Sequence, residues 1–314
     1  MKTDRISTYL LGRCAAAVAI LMLLVGAAFV VPSMADEPKD GKAAEKTTEK
    51  AAGKDKRIVL VAGTPSHGPG DHEFNAGVHI LKACLDKTPG IKCDMYLNGW
   101  PKDPNAFDGA DSIMLYMDGG GGHPLIRDNH LAQIKALMDK GVGLVCVHYA
   151  VEIPKDKGGP ELLDWIGGYY ETGYSFNPHW VGDFKNLPEH EITRGVKPFA
   201  IRDEWYFNMR FRPEMKGVTP ILKATPPDGV RGTPATKEHP GREEILAWAV
   251  ERPDGGRGFG FTGGHTHRNW GDGAFRKLIL NALVWSAHGE VPPDGVESDV
   301  QPDDLKKNLD PKRR

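Results

Sequence analysis

Four short, uninterrupted apolar runs, each closed by glycine, histidine or a polar turn, constrain this chain more than any other feature. They are 57–63 (RIVLVAG), 111–117 (DSIMLYM), 143–148 (GLVCVH) and 258–262 (GFGFT). None shows the polar alternation of a half-exposed strand, so each predicts a strand covered on both faces. A shorter strand is expected near 92–97. Between the runs, Phe74, Val78, Leu81 and Leu85 recur at helical spacing, as do Leu131, Ile134 and Met138. Asp272 predicts the N-cap of a late helix whose apolar face holds Phe275, Leu278, Ile279, Ala282 and Leu283. Strands alternating with helices imply an α/β fold, a mostly parallel central sheet with helices on both sides. The stretch from Pro160 to about Ala249 is less regular and holds Trp165, Trp180, Trp205 and Trp248. It is expected to be an elaborated insertion, partly antiparallel, over one end of the sheet.

The flanks differ in kind from this middle. Lys2, Arg5 and Arg13 precede an uncharged run from Cys14 to Val31, and Ser33-Met34-Ala35 offers small residues for cleavage before Asp36. Residues 1–35 therefore predict a signal peptide and an exported protein, periplasmic or extracellular. The apolar run just reaches bilayer-spanning length, so the alternative is an uncleaved N-terminal anchor, the one case in which a membrane is a partner. Residues 36–56 contain no aliphatic side chain larger than alanine, and 290–314 mix prolines with charges, so a disordered linker and a disordered tail are expected around a working domain at 57–289. Cys84 and Cys93 are candidates for a disulfide in an oxidising compartment, and Cys146 for a buried thiol.

Forty Lys+Arg against 42 Asp+Glu give a formal charge of −2, which offers no general attraction to phosphate backbones, and no nucleic-acid partner is expected. There is no Walker A motif, and no G-x-G-x-x-G with an acidic residue at the right distance, which argues against nucleotide cofactors. The expected partner is a small molecule.

In open α/β sheets ligands bind at the carboxyl ends of the strands. The four loops there each deliver histidine: His67 and His72 after the first run, Asp118, Gly120 and His123 after the second, His148 and Tyr149 after the third, His265 and His267 after the last. The glycines at 119–122 suit either a nest of amides for an oxyanion or a flexible turn. In the insertion, Asp203 and Glu204 face opposite ways if they lie on a strand, so one reaches the crevice, beside Trp205 and Tyr206. His265 and His267, completed by His67 or His148, are a possible zinc set, though no H-E-x-x-H or C-x-x-C motif supports it. The leading expectation is a site without cofactor.

The segments 57–63, 109–116 (GADSIMLY), 141–148 (GVGLVCVH), 189–195 (EHEITRG), 203–206 (DEWY) and 263–285, from Gly263-Gly264-His265-Thr266 to Trp285, in this order, resemble the ThuA-like (trehalose utilisation) family. The resemblance implies a class I glutamine amidotransferase-like fold, a flavodoxin-like three-layer sandwich, in which the glycine-rich turn is an oxyanion loop and His148 stands at the nucleophile elbow. Cys146 falls two residues earlier, inside the strand, so glutamine hydrolysis by a cysteine is not expected. The family points to disaccharide and 3-keto-sugar catabolism. Together with the histidine crevice it predicts a sugar-processing enzyme using His148 and His265 as acid/base groups with Glu204 assisting. His67, His72, Asp118, Gly120, His123, Tyr149, Trp205, Tyr206 and His267 are expected to hold the sugar. The alternatives are a non-catalytic carbohydrate-binding module presenting Trp180, Trp205 and Trp270, and a metal-dependent hydrolase.

Overall fold

A computed structural model describes residues 54–312. The expected signal peptide and nearly all of the linker lie outside the described residues. The apolar runs become strands within a residue or two of their predicted limits: β1 (Lys56–Ala62), β2 (Ile91–Tyr96), β3 (Ser112–Tyr116) and β4 (Gly143–Val147). Helices α1 (Phe74–Leu85) and α2 (His130–Met138) separate them. The insertion supplies α3 (Gly159–Trp165), β5 (Gly168–Tyr169), β6 (His179–Phe184), β7 (Phe199–Glu204), β8 (Arg210–Phe211), β9 (Val218–Ala224), α4 (Pro234–Lys237) and β10 (Glu244–Glu251). The chain then returns through β11 (Arg257–Phe261) and α5 (Gly273–Ser286).

The seven-stranded sheet runs β2-β1-β3-β4-β11-β10-β9. Its first five strands are parallel, and β10 and β9 extend it antiparallel. Alternation along β1 divides the core: Ile58, Leu60 and Ala62 pack with α1 and α5, while Val59 and Val61 pack with α2 and α3. That is the expected three-layer sandwich. The Asp272 carboxylate caps α5 by accepting from the amides of Ala274 and Phe275, both at 2.9 Å. Outside the main sheet, β6 and β7 form a separate antiparallel pair, and β5 pairs with β8. Among the described residues no helix is long and apolar enough to cross a membrane.

Two expectations change. The segment after 290 is packed through Lys312 where composition predicted disorder: Val291 and Val296 are fully buried in the core, and Asp310 is buried against α1. Prolines and charges there serve an extended, hydrogen-bonded strap, a use of polar sequence that composition alone does not separate from disorder. Cys84 and Cys93 are not bonded to each other, and both are buried free thiols, as is Cys146. Burial pushes the Cys93 thiol up to about 12.

Candidate metal centre

Because β1, β3, β4 and β11 are parallel, their carboxyl ends open on one edge, and the loops that leave them carry the polar residues. His148 directly follows β4 at φ 56°, opening a short 3-10 turn, and His67 and His72 sit at φ 60° and 47°. Left-handed backbone at three non-glycine residues costs on the order of 1 kcal/mol each, so surrounding contacts must hold them there. Glu204 is the last residue of β7. His265 follows Gly264, whose φ of 112° suits glycine alone and lets the turn approach Val147 and His148 closely.

Three imidazoles and one carboxylate converge. His72 Nε2 lies 3.0 Å from His148 Nε2 and 2.9 Å from His265 Nδ1, and the last two are 3.3 Å apart. Glu204 Oε2 is 3.1 Å from His265 Nδ1 and 3.5 Å from His148 Nε2. His72 and His148 are fully buried and His265 nearly so, while the Glu204 side chain keeps 16% of its exposure.

The outward ring nitrogens settle what the inward ones offer. His148 Nδ1 faces the Thr262 carbonyl at 2.9 Å, which only accepts, so Nδ1 carries the proton and Nε2 of the neutral ring is a bare lone pair. His72 Nδ1 faces the Asp118 carboxylate at 2.8 Å, with the same result. His265 Nε2 points towards Asp71 Oδ1 at 3.6 Å. Three ring nitrogens and a carboxylate aimed at one another call for positive charge among them, supplied by a shared proton or by a metal ion. Ring nitrogens backed by carboxylates and a carbonyl are the arrangement by which proteins orient metal-ligating histidines. A tetrahedral zinc with ligands at about 2.0–2.1 Å has ligand-to-ligand edges of about 3.3 Å, and the five separations here, from 2.9 to 3.5 Å, bracket that value. The residues present therefore fit a divalent transition ion.

The electrostatics agree. Burial lowers the His72 pKa to about 3, against the pull of the Asp118 hydrogen bond, so this ring is neutral at ordinary pH. Burial opposes ionisation of Glu204, but hydrogen bonds and charge from His148 and His265 outweigh it and hold its carboxyl well below the usual range. For His265, burial is likewise outweighed by the Glu204 hydrogen bond and charge, and its pKa rises. When no metal is present a proton takes the place of the cation.

The other expected residues fall around this centre or outside it. Asp118 backs His72, and the Tyr206 hydroxyl lies 3.3 Å from His148 Nε2. The His67 ring packs 3.6 Å from that of His72 with its side chain 41% exposed, at the mouth. The Tyr149 ring stands 6.0 Å from that of His72, and its hydroxyl flanks Gly120. The Gly120 amide donates to the Glu152 carbonyl, so the glycine turn is packed against the chain after β4 and that amide is not offered to an oxyanion.

His123 is not at the crevice: it is fully buried, accepting from the Leu125 amide and facing the Ala150 carbonyl. His267 turns away to the Leu305 carbonyl, so His265, His267 and His67 do not gather, and His72 and Glu204 stand where that set was expected. Trp205 is fully buried against Phe184, Phe261 and Phe275, its indole donating to Ile201. Trp180 and Trp270 are buried too, which removes the flat aromatic platform the binding-module alternative required. Asp203, on the opposite strand face from Glu204, is fully buried and accepts from the amides of Glu204, Gly264 and Thr266. Strand alternation next to Glu204 was the signal for it.

A family profile described as ThuA, trehalose utilisation, matches residues 58–286. Among solved structures, the chain is similar to a ThuA-like protein from Parabacteroides merdae, with 17% identity, a TM-score of 0.52, and coverage of 78% of this chain and 96% of that one. A ThuA-like protein from Bacteroides uniformis gives 16% identity, a TM-score of 0.50, and coverage of 78% and 95%. At these identities the likeness speaks for the fold. No curated protein matches the chain.

Proposed function

Because the chain belongs to the ThuA (trehalose utilisation) family, we propose that it is an exported, metal-dependent enzyme acting on a sugar, with a divalent transition ion held by His72, His148, His265 and Glu204. The observation that carries this reading is the convergence of three imidazole nitrogens and a carboxylate, with His72 and His148 each backed on the outward nitrogen by an acceptor within hydrogen-bond distance. Such an ion supplies Lewis acidity to a carbonyl or hydroxyl oxygen. A keto sugar suits it, since polarising the carbonyl acidifies the neighbouring C–H and favours elimination of a glycosidic oxygen.

In this reading His148 and His265 are ligands, and not the acid/base pair expected from the sequence: both are buried, and their outward nitrogens are engaged. His67, Asp118 and Tyr149, half-exposed at the mouth, are the groups a sugar meets first, and Tyr206 stands over His148. The family's description supports the sugar, and the basic and then apolar sequence pattern of residues 1–35 supports export. The test is metal analysis of untagged protein, followed by turnover of disaccharides and their 3-keto derivatives with and without chelator. One ion per chain and chelator-sensitive turnover are expected. Metal-free protein that turns over a sugar at full rate would overturn the proposal.

A further inference from the structure

The strap after residue 303 reaches the loops that carry two of the four converging groups. Glu73, next to His72, accepts from the Gly70 amide at 2.8 Å and from the Asp310 amide at 2.6 Å, and pairs with Lys312 at 3.4 Å. The side chains of this pair are 4% and 2% exposed. Lys312 also donates to the carbonyls of Gly68 and Asp71. The Asp310 carboxylate accepts from the Phe74 amide at 3.1 Å and from Asn75 Nδ2 at 2.5 Å, closing the start of α1 two residues after His72. On the other loop, His267 faces the Leu305 carbonyl at 3.0 Å, and Leu305 packs so tightly on Gly271 that a Cβ there would lie 2.8 Å from it.

The two loops are also joined to each other. The His72 amide donates to the His265 carbonyl, and the His267 amide to the Gly70 carbonyl, both at 2.9 Å. A displacement of one loop therefore moves both His72 and His265. His72 needs such restraint, because its φ of 47° is not one a free loop holds. A buried lysine and glutamate that also satisfy four backbone groups are more than a surface strap requires, since charges are taken out of water only where the geometry is well met.

We infer that Lys312, acting through Glu73, and Asp310, acting through the Phe74 amide and Asn75 at the start of α1, are positioning residues for the metal centre that hold His72, and with it His265, in ligating geometry. This rests on the proposed metal reading, and the experiment separates the two. Zinc ion alone is titrated into full-length wild type, Lys312→Met, Asp310→Asn and, as a control, Lys306→Ala, whose side chain is exposed. Titrations are run where circular dichroism shows every variant folded, and amide exchange is followed across 66–73.

Lys312→Met and Asp310→Asn are expected to weaken zinc by tenfold or more and to speed exchange at 66–73, with β1 and β3 amides unchanged and Lys306→Ala like wild type. A purely structural strap would lower the melting temperature and leave the zinc affinity of the folded protein unmoved, and that result overturns the inference. If wild type binds no zinc, the metal reading fails, and exchange alone decides: acceleration confined to 66–73 supports the clasp, and its absence overturns it.

Discussion

Asp203 and Glu204 are neighbours on β7 whose carboxylates serve opposite sides: Glu204 Oε2 meets His265 Nδ1 at 3.1 Å, while Asp203 Oδ2 accepts the Gly264 amide at 2.7 Å. One dipeptide thus supplies a converging oxygen and anchors the turn that brings His265 to it. The alternation of a strand makes this possible, and the Thr266 amide on Asp203 Oδ1 completes the anchor.

Replacing the two separates their roles. Glu204→Gln removes the charge that neutralises the ion and is expected to abolish metal retention through purification. Asp203→Asn keeps all four converging groups and is expected to weaken affinity about 10–100-fold, the usual effect of losing an outer partner. Zinc competition against a chromophoric chelator measures both, and equal affinities for Asp203→Asn and wild type would show that the turn holds itself.

Asp118 holds the His72 proton on Nδ1 at 2.8 Å. Asp118→Asn can present its amide nitrogen to that ring and favour the wrong tautomer, so about a 10–100-fold loss of metal affinity is expected at neutral pH. Asp139→Asn, on an exposed ion pair, should change nothing.

His123 gives a pH dependence free of the metal. Burial lowers its pKa from 6.5 to about 4. A depressed folded-state pKa means the contribution is fully present above pH 6.5 and is lost as pH falls towards 4, since the unfolded chain takes up the proton first. The loss from this group reaches about 3 kcal/mol across that window, at about 1.4 kcal/mol per pH unit. Urea denaturation at pH 7 and pH 4.5 should show a steeper acid loss for wild type than for His123→Gln, and parallel losses would contradict the assignment.

The buried thiols predict chemistry as well. Cys84, Cys93 and Cys146 should resist alkylation in native buffer and react once the chain is unfolded, because burial raises all three pKa values and shields the sulfurs. Intact mass is expected to be the same before and after reduction. A mass change on reduction would reveal a Cys84–Cys93 bridge.

How far the sequence reaches is visible in these residues. Continuous apolar runs, helical spacing and the Asp272 cap are local signals, and the sheet and α5 follow them closely. The arrival of histidines at one sheet edge was legible too, because parallel strands put their carboxyl ends together. Which histidines meet was not. His67 and His72 lie five residues apart on one loop, and two positive φ values decide that His72 turns inward and His67 outward. His265 and His267 are parted in the same way by the Leu305 carbonyl, which belongs to a strap whose composition reads as disorder. The indoles were misassigned for a plainer reason: a tryptophan is more often core than platform, and Trp205 is surrounded by phenylalanines.

The most direct test of the central claim is a crystal of the full chain loaded with zinc, measured on both sides of the zinc absorption edge. One anomalous peak is expected, about 2.0–2.1 Å from His72 Nε2, His148 Nε2, His265 Nδ1 and a Glu204 oxygen. An empty centre, or zinc found only at the outer His67 and Asp118 side chains, would contradict it.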